Sequence, residues 1–125
     1  MRPELQNGAT LAFIGDAVLS LMVREHLISL GLTKTKELQI QSIRYVSAVA
    51  QAKFIQYLLD QNELTQEETQ IYLRGRNHKS LSKAKNTDIL TYRQATGFES
   101  LLGYWYLRHE TDRLEHIWNQ MKTNI

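Results

Sequence analysis

TLAFIGDAVLSLMVREHLISL, residues 10–30, decides the fold class. Its apolar residues recur three and four apart, as on a helix, and not in the strict alternation of a half-buried strand. Leu11, Ile14, Val18 and Leu21 form one stripe expected to be buried, with Asp16 to its side. Gly31 follows where a helix C-cap belongs. Outward from this stretch the pattern stays helical. A second helix is expected from about Thr35 to Tyr45. Ser47 is placed to N-cap a third, SAVAQAKFIQYLLDQ, whose Val49, Phe54, Ile55, Leu58 and Leu59 keep helical spacing. Thr65 with Glu68 three residues on is a capping-box pattern that opens a fourth helix through Leu73.

The periodicity then lapses. RGRNHKSLSKAKN, residues 74–86, reads as a loop or a frayed helix end. Helical pattern resumes near Thr87 and Asp88 with ILTYRQATGFESLLGYWYLRH, long enough for five turns. Thr111 or Asp112 is placed to cap a last helix, RLEHIWNQM. The single proline, Pro3, breaks nothing later in the chain. With no strand alternation, internal repeat or low-complexity tract, the expected class is all-α.

At 125 residues, 42% hydrophobic and 22% charged, the chain is expected to form one domain spanning residues 1–125. A chain of this size buries something over ~60% of its unfolded surface and can hold a core without staples. Cysteine is absent, which excludes disulfide frameworks, thiolate zinc sites, iron–sulfur clusters and cysteine nucleophiles. No apolar stretch is long enough to cross a membrane, since Asp16 interrupts the longest, and MRPELQNGAT lacks an export-signal pattern. The expected location is the cytoplasm, with no membrane partner.

The formal net charge of +2 conceals an asymmetry. Between Arg74 and Arg93 six basic residues face one acid, Asp88, whereas the remainder carries nine basic residues against twelve acids. A mildly acidic body with one concentrated basic segment fits a polyanionic partner docking on one face. A solvated loop would have the same composition.

Two acids stand in apolar company. Asp16 lies within LAFIGDAVLSLMV, and Glu99 lies in TGFESLLGYWYL between Phe98 and the Leu101–Leu102 pair. Alone, each has an ordinary explanation. Asp16 could cap a helix restarting after a break at Gly15, and Glu99 could be a boundary residue reaching water. Together, on the two most apolar helices, they would converge if those helices pack, and like charges in a low dielectric repel. A hard divalent cation relieves that repulsion; Mg²⁺ commonly takes only one or two protein carboxylates and completes its shell with water and phosphate. Ala12 and Thr96, one turn before each acid, are small and would leave room for the waters. Such an ion beside a basic segment is the layout of metal-assisted phosphodiester hydrolysis.

LAFIGDAVLS resembles the signature of the ribonuclease III family, usually Glu-x-x-Glu-Phe-Leu-Gly-Asp-Ala. FESLLGYWYL resembles that family's second acidic motif, Asp-x-x-Glu-Ala-Leu-Ile-Gly. VSAVAQA and RGRNHKSLSKAKNTDILTYRQATGFES resemble the Mini-III subfamily, a ribonuclease III catalytic domain without a double-stranded-RNA-binding domain. The match runs from Thr10 to Met121. It implies a ribonuclease III endonuclease-domain-like helical bundle, homodimeric, with Asp16 and Glu99 as the metal-binding catalytic carboxylates and Mg²⁺ as cofactor (Mn²⁺ as substitute). Three acids of the wider family are replaced, at Ala9, Ala12 and Thr96, as in Mini-III. The resemblance also places Phe13 at the two-fold interface; periodicity alone equally allows a core aromatic.

The implied reaction is hydrolysis of double-stranded RNA to 5′-phosphate and 3′-hydroxyl ends. The implied substrate is the precursor of 23S ribosomal RNA, with a bound ribosomal protein helping to present it. Arg74, Arg76, Asn77, Lys79, Lys83 and Lys85 are the candidates for gripping the duplex, because A-form RNA offers mainly phosphates and 2′-hydroxyls. His78 shares that segment, whereas His26, His109 and His116 read as surface residues. Of Tyr104, Trp105 and Tyr106, which point in different directions on a helix, most are expected to be packed. Two alternatives remain at this stage: a non-catalytic double-stranded-RNA-binding relative with a degenerate metal site, and a helical dimerisation module whose basic loop grips an acidic protein.

Overall fold

The structure, a computed structural model, describes residues 1–79 and 88–125. A single 3₁₀ turn, Pro3–Leu5, precedes six helices: α1 Gly8–Ser29, α2 Thr35–Val46, α3 Ala48–Asp60, α4 Gln66–Arg76, α5 Ile89–Leu107 and α6 Thr111–Thr123. Among the described residues every element is helical, as the sequence pattern requires.

Local capping sets most of the boundaries. The Asn7 side chain accepts from the Thr10 amide at 2.8 Å, Ser47 accepts from Ala50 at 3.2 Å and Asp88 accepts from Thr91 at 2.8 Å. At the start of α4 both halves of the capping box are made: Glu68 N–H donates to Thr65 Oγ1 at 3.1 Å, and Thr65 N–H donates to Glu68 Oε1 at 2.9 Å. The last helix departs from expectation. Its N-cap is Glu110, and no side chain caps it.

The longest helix, α1, runs without a break through Gly15 and Asp16, so Asp16 caps nothing. Its buried side is Leu11, Ala12, Gly15, Val18, Leu19, Val23 and Leu27. Leu21, expected on that stripe, is 59% exposed, and Val49 of α3 is likewise outward at 55%. Both sit on the far side of helices that are apolar around more than one face, where spacing alone does not tell inside from outside.

At the centre lies α5, packed against α1, α3 and α4. From Ala95 to Trp105 every residue is buried except Glu99, which is half-buried. A helix apolar all round belongs inside; Phe98, Leu101 and Trp105 are fully enclosed. One polar cluster is buried with them. Glu68 accepts from Trp105 Nε1 at 2.8 Å and from Arg113 Nε and Nη2 at 3.0 and 2.8 Å, which ties α4, α5 and α6 together. Burial would raise the Glu68 carboxyl, but the Arg113 guanidinium, the Thr65 amide and the Trp105 indole outweigh it and hold it below the usual range.

Candidate active site

Backbone proximity brings the two apolar helices' acids together. A Cβ on Gly15 would stand 1.7 Å from the Glu99 carbonyl oxygen, and one on Gly103 would stand 2.0 Å from that of Leu11. Only glycine lets main chain meet main chain at both points. A hydroxyl reinforces the contact: Ser100 Oγ lies 2.8 Å from the Gly8 carbonyl oxygen and 2.9 Å from that of Thr96. Asp16 follows Gly15 directly and is therefore delivered to the α5 surface at Glu99.

The carboxyls of Asp16 and Glu99 meet side chain to side chain. Glu99 is pushed up to about 8, first by burial, then by the charge of Asp16 and the hydrogen bond shared with it; only Gln51 acts in the other direction. Asp16 itself is exposed, so the pair opens to solvent on its side. Ala12 and Thr96 are buried, at 8% and 6% exposure, and the room expected at these small residues is not open to solvent. The Thr96 hydroxyl donates to the Tyr92 carbonyl oxygen at 3.1 Å. Among the described residues no third Asp, Glu, His or Cys completes a metal-ligand cluster around the pair.

Gln51, which the sequence did not single out, joins the site from α3. It is 2% exposed, and its Nε2 donates to Glu99 Oε2 at 3.3 Å and to the Val46 carbonyl oxygen at 3.0 Å. The Gln51 Oε1 atom is buried, without a hydrogen-bond partner among the described residues. A glutamine inside the otherwise small and apolar VSAVAQAKF was the available signal.

A cation fits this arrangement. Ionising the half-buried Glu99 beside the exposed Asp16 would leave negative charge uncompensated. A hydrated divalent ion compensates it, and one or two carboxylates are the usual protein share for Mg²⁺.

The basic segment is only partly laid out. Arg74 Nη1 donates to the carbonyl oxygens of Glu4 and Gln6 at 2.7 and 2.9 Å, strapping the amino-terminal turn to α4. Arg76 donates through Nε to Asn77 Oδ1 at 3.1 Å, its guanidinium 5.9 Å from the Tyr72 ring centre. Arg74, Asn77, His78 and Lys79 line one open concavity with Gln70 and Leu73. Lys83 and Lys85 lie outside the described residues. Phe13 is 84% exposed on α1, not a core aromatic. Trp105 and Tyr104 are packed, whereas Tyr106 is 48% exposed. His26 differs from expectation: it is half-buried, edge-on to Tyr45 and Trp118 at 5.9 and 5.8 Å between ring centres. Burial, followed by the nearby charge of Lys122, lowers its pKa.

The ribonuclease III domain family model matches residues 9–110, a span that contains both acids. The chain belongs to the ribonuclease III family. Within the family it is similar to the Mini-ribonuclease 3 of Streptococcus pneumoniae, 49% identical over 91% of this chain and 89% of the relative. The Mini-ribonuclease 3 of Enterococcus faecalis is 50% identical over 90% and 86%, and that of Staphylococcus aureus 43% over 98% and 91%. The fold is shared with a crystal structure of a Fusobacterium nucleatum protein, with a TM-score of 0.84 at 24% identity, covering 93% of this chain and 94% of that one.

The chain is thus an endoribonuclease of the ribonuclease III type, in a family whose hydrolases depend on a divalent metal. That membership settles the choice left open by the replaced acids in favour of an enzyme. No helix among the described residues is long and apolar enough to cross a membrane.

Proposed function

We propose that residues 1–125 form one catalytic domain, acting in the cytoplasm, that cuts double-stranded RNA with Mg²⁺ held by Asp16 and Glu99 and, as the family resemblance implies, trims the ends of the 23S ribosomal RNA precursor. The observation that carries this reading is the carboxyl pair itself, with Glu99 displaced to about 8 by burial and by Asp16. When bound, Mg²⁺ would lower the pKa of a water and stabilise charge on the phosphate and the leaving 3′-oxygen. The chain's own residues hold and orient. Asp16 presents a carboxylate on the solvent side, Glu99 one on the buried side, and the glycine contacts of α1 with α5 fix their separation.

The duplex would be gripped by Arg74, Arg76, Asn77, Lys79, Lys83 and Lys85 through phosphates and 2′-hydroxyls. Arg74 would do so while its Nη1 remains bound to the amino-terminal turn. A ribosomal protein bound to the precursor would supply affinity that one basic segment lacks.

A second copy of the chain would cover α1. Phe13, Leu21 and Ile28 are 84%, 59% and 61% exposed, and helical spacing sets them along one outward stripe with Asp16 at its edge. A two-fold axis there matches the symmetry of a duplex and gives each strand one site.

Cleavage assays test this. Duplex RNA is expected to be cut with Mg²⁺, spared with EDTA, and bound but not cut by Asp16→Asn. Equal cleavage by wild type and Asp16→Asn would overturn the assignment.

A further inference from the structure

Gln51 is a buried polar side chain that reaches Glu99 from another helix. A side chain buried to 2% exposure is destabilising unless its polar atoms are matched. Its two N–H bonds are matched. One goes to the Val46 carbonyl oxygen at the end of α2, the other across 48 positions to Glu99 Oε2. Among the described residues the carbonyl oxygen is not matched: Oε1 is buried and has no hydrogen-bond partner. Turning the amide over would not help. It would aim Oε1 at the Val46 carbonyl oxygen, acceptor against acceptor, and break the 3.0 Å bond made there. The Nε2 edge is thereby held on Val46 and Glu99, and Oε1 of the same amide is the atom left over. A glutamine serving only to join α2 to α3 would need the Val46 bond and nothing at Glu99.

We propose that Gln51 is a positioning residue of the metal site: its N–H fixes the rotation of the Glu99 carboxylate relative to Asp16, and its free carbonyl oxygen accepts a hydrogen bond from a water of the cation's hydration shell. This rests on the reading of Asp16 and Glu99 as cation ligands. Mg²⁺ and Mn²⁺ sites with few protein ligands keep several waters, whose hydrogens need acceptors. Residues that orient ligands from behind typically alter metal affinity or activity 10–100-fold.

The test is Mn²⁺ titration of the full, RNA-free chain, read from the paramagnetic resonance of free Mn²⁺, for wild type, Gln51→Met, Gln51→Asn and Asp16→Asn. Gln51→Met keeps length and volume but has neither donor nor carbonyl. It is expected to melt cooperatively, to bind Mn²⁺ about 10-fold or more weakly, and to need correspondingly more Mg²⁺ for half-maximal cleavage. Its affinity for duplex RNA in EDTA is expected to equal that of wild type, which a general loosening of the fold would not leave intact. If Gln51→Met does not fold, Gln51→Asn, with the amide withdrawn by one methylene, is expected to show the same Mn²⁺ weakening. Wild-type Mn²⁺ affinity in whichever variant folds, alongside lost binding in Asp16→Asn, overturns the role of Gln51 and leaves the carboxylate pair standing. Wild-type Mn²⁺ affinity in Asp16→Asn overturns the metal-site reading, and the role of Gln51 with it.

Discussion

The α-carbon of Gly15 sits against the carbonyl group of Glu99, so closely that an added methyl carbon would lie 1.7 Å from the oxygen. One residue thereby sets the approach of two helices, and the next residue, Asp16, inherits a fixed position opposite the Glu99 side chain. The reciprocal contact of Gly103 with Leu11 makes the approach a two-point one, so the helices cannot pivot about a single contact.

Gly15→Ala should therefore damage stability and chemistry together. Overpacking ordinarily costs about 1–3 kcal/mol when side chains can shift; here the obstacle is main chain on a central helix, and a loss of at least about 3 kcal/mol is expected. Urea unfolding monitored by circular dichroism measures it, and a loss below about 1 kcal/mol would show that α1 and α5 can separate freely.

Glu99→Gln and Asp16→Asn should each lower turnover about 10³-fold or more, because removing a ligand forfeits several kcal/mol of charge stabilisation by the ion. Neither should unfold the protein. Relative to wild type, Glu99→Gln should become more stable above pH 8, where wild type must ionise a half-buried carboxyl beside Asp16. Thermal melts at pH 7 and pH 9 compare the two.

The same group predicts a pH dependence in the metal-free protein. Glu99 titrates near 4.5 when unfolded and at about 8 when folded, so between those values the folded chain holds the extra proton. Its contribution to stability is complete below about 4.5 and falls as pH rises toward 8. A cation must displace that proton, so Mn²⁺ affinity should rise about tenfold per pH unit up to about 8 and then level off. Calorimetric titrations from pH 6 to 9 check both the slope and the plateau.

At Glu68 the sign is opposite. Arg113, Thr65 and Trp105 hold this carboxyl low, so the cluster stabilises the fold above the unfolded pKa and loses its effect as pH falls through the folded one. Arg113→Met should destabilise by about 3 kcal/mol, because it strands a buried carboxylate whose side chain is only 8% exposed. The deficit should shrink in acid, as denaturant midpoints at pH 7 and pH 4 would show.

If a second copy covers α1 as proposed, Phe13→Arg should lower the mass in solution to that of a monomer by placing a charge on the exposed apolar stripe. Light scattering on a sizing column reads the mass directly. An unchanged mass would contradict that use of the stripe.

How much of this was legible depended on distance along the chain. The caps at Ser47 and Thr65 and the helical spacing of 10–30 involve residues within a few positions of each other, and the structure follows them. The continuity of α1 was not legible, since a Gly–Asp pair fits a break as well as a helix; the packing of Gly15 on α5, eighty-odd residues away, decides it. Arg74 was readable as a basic residue but not as the strap on Glu4 and Gln6, a contact spanning 70 and 68 positions. Gln51 is illegible in the sequence for the same reason: its partner, Glu99, is on another helix. The two acids themselves were conspicuous because charge among apolar residues is unfavourable without a reason.

One cation is expected between Asp16 and Glu99, and anomalous diffraction from a crystal soaked in Mn²⁺ would locate it. The expected result is a single strong peak within about 2.3 Å of an oxygen from each carboxylate. A peak elsewhere, or none at this pair in crystals of protein that still cuts RNA with Mn²⁺, would contradict it.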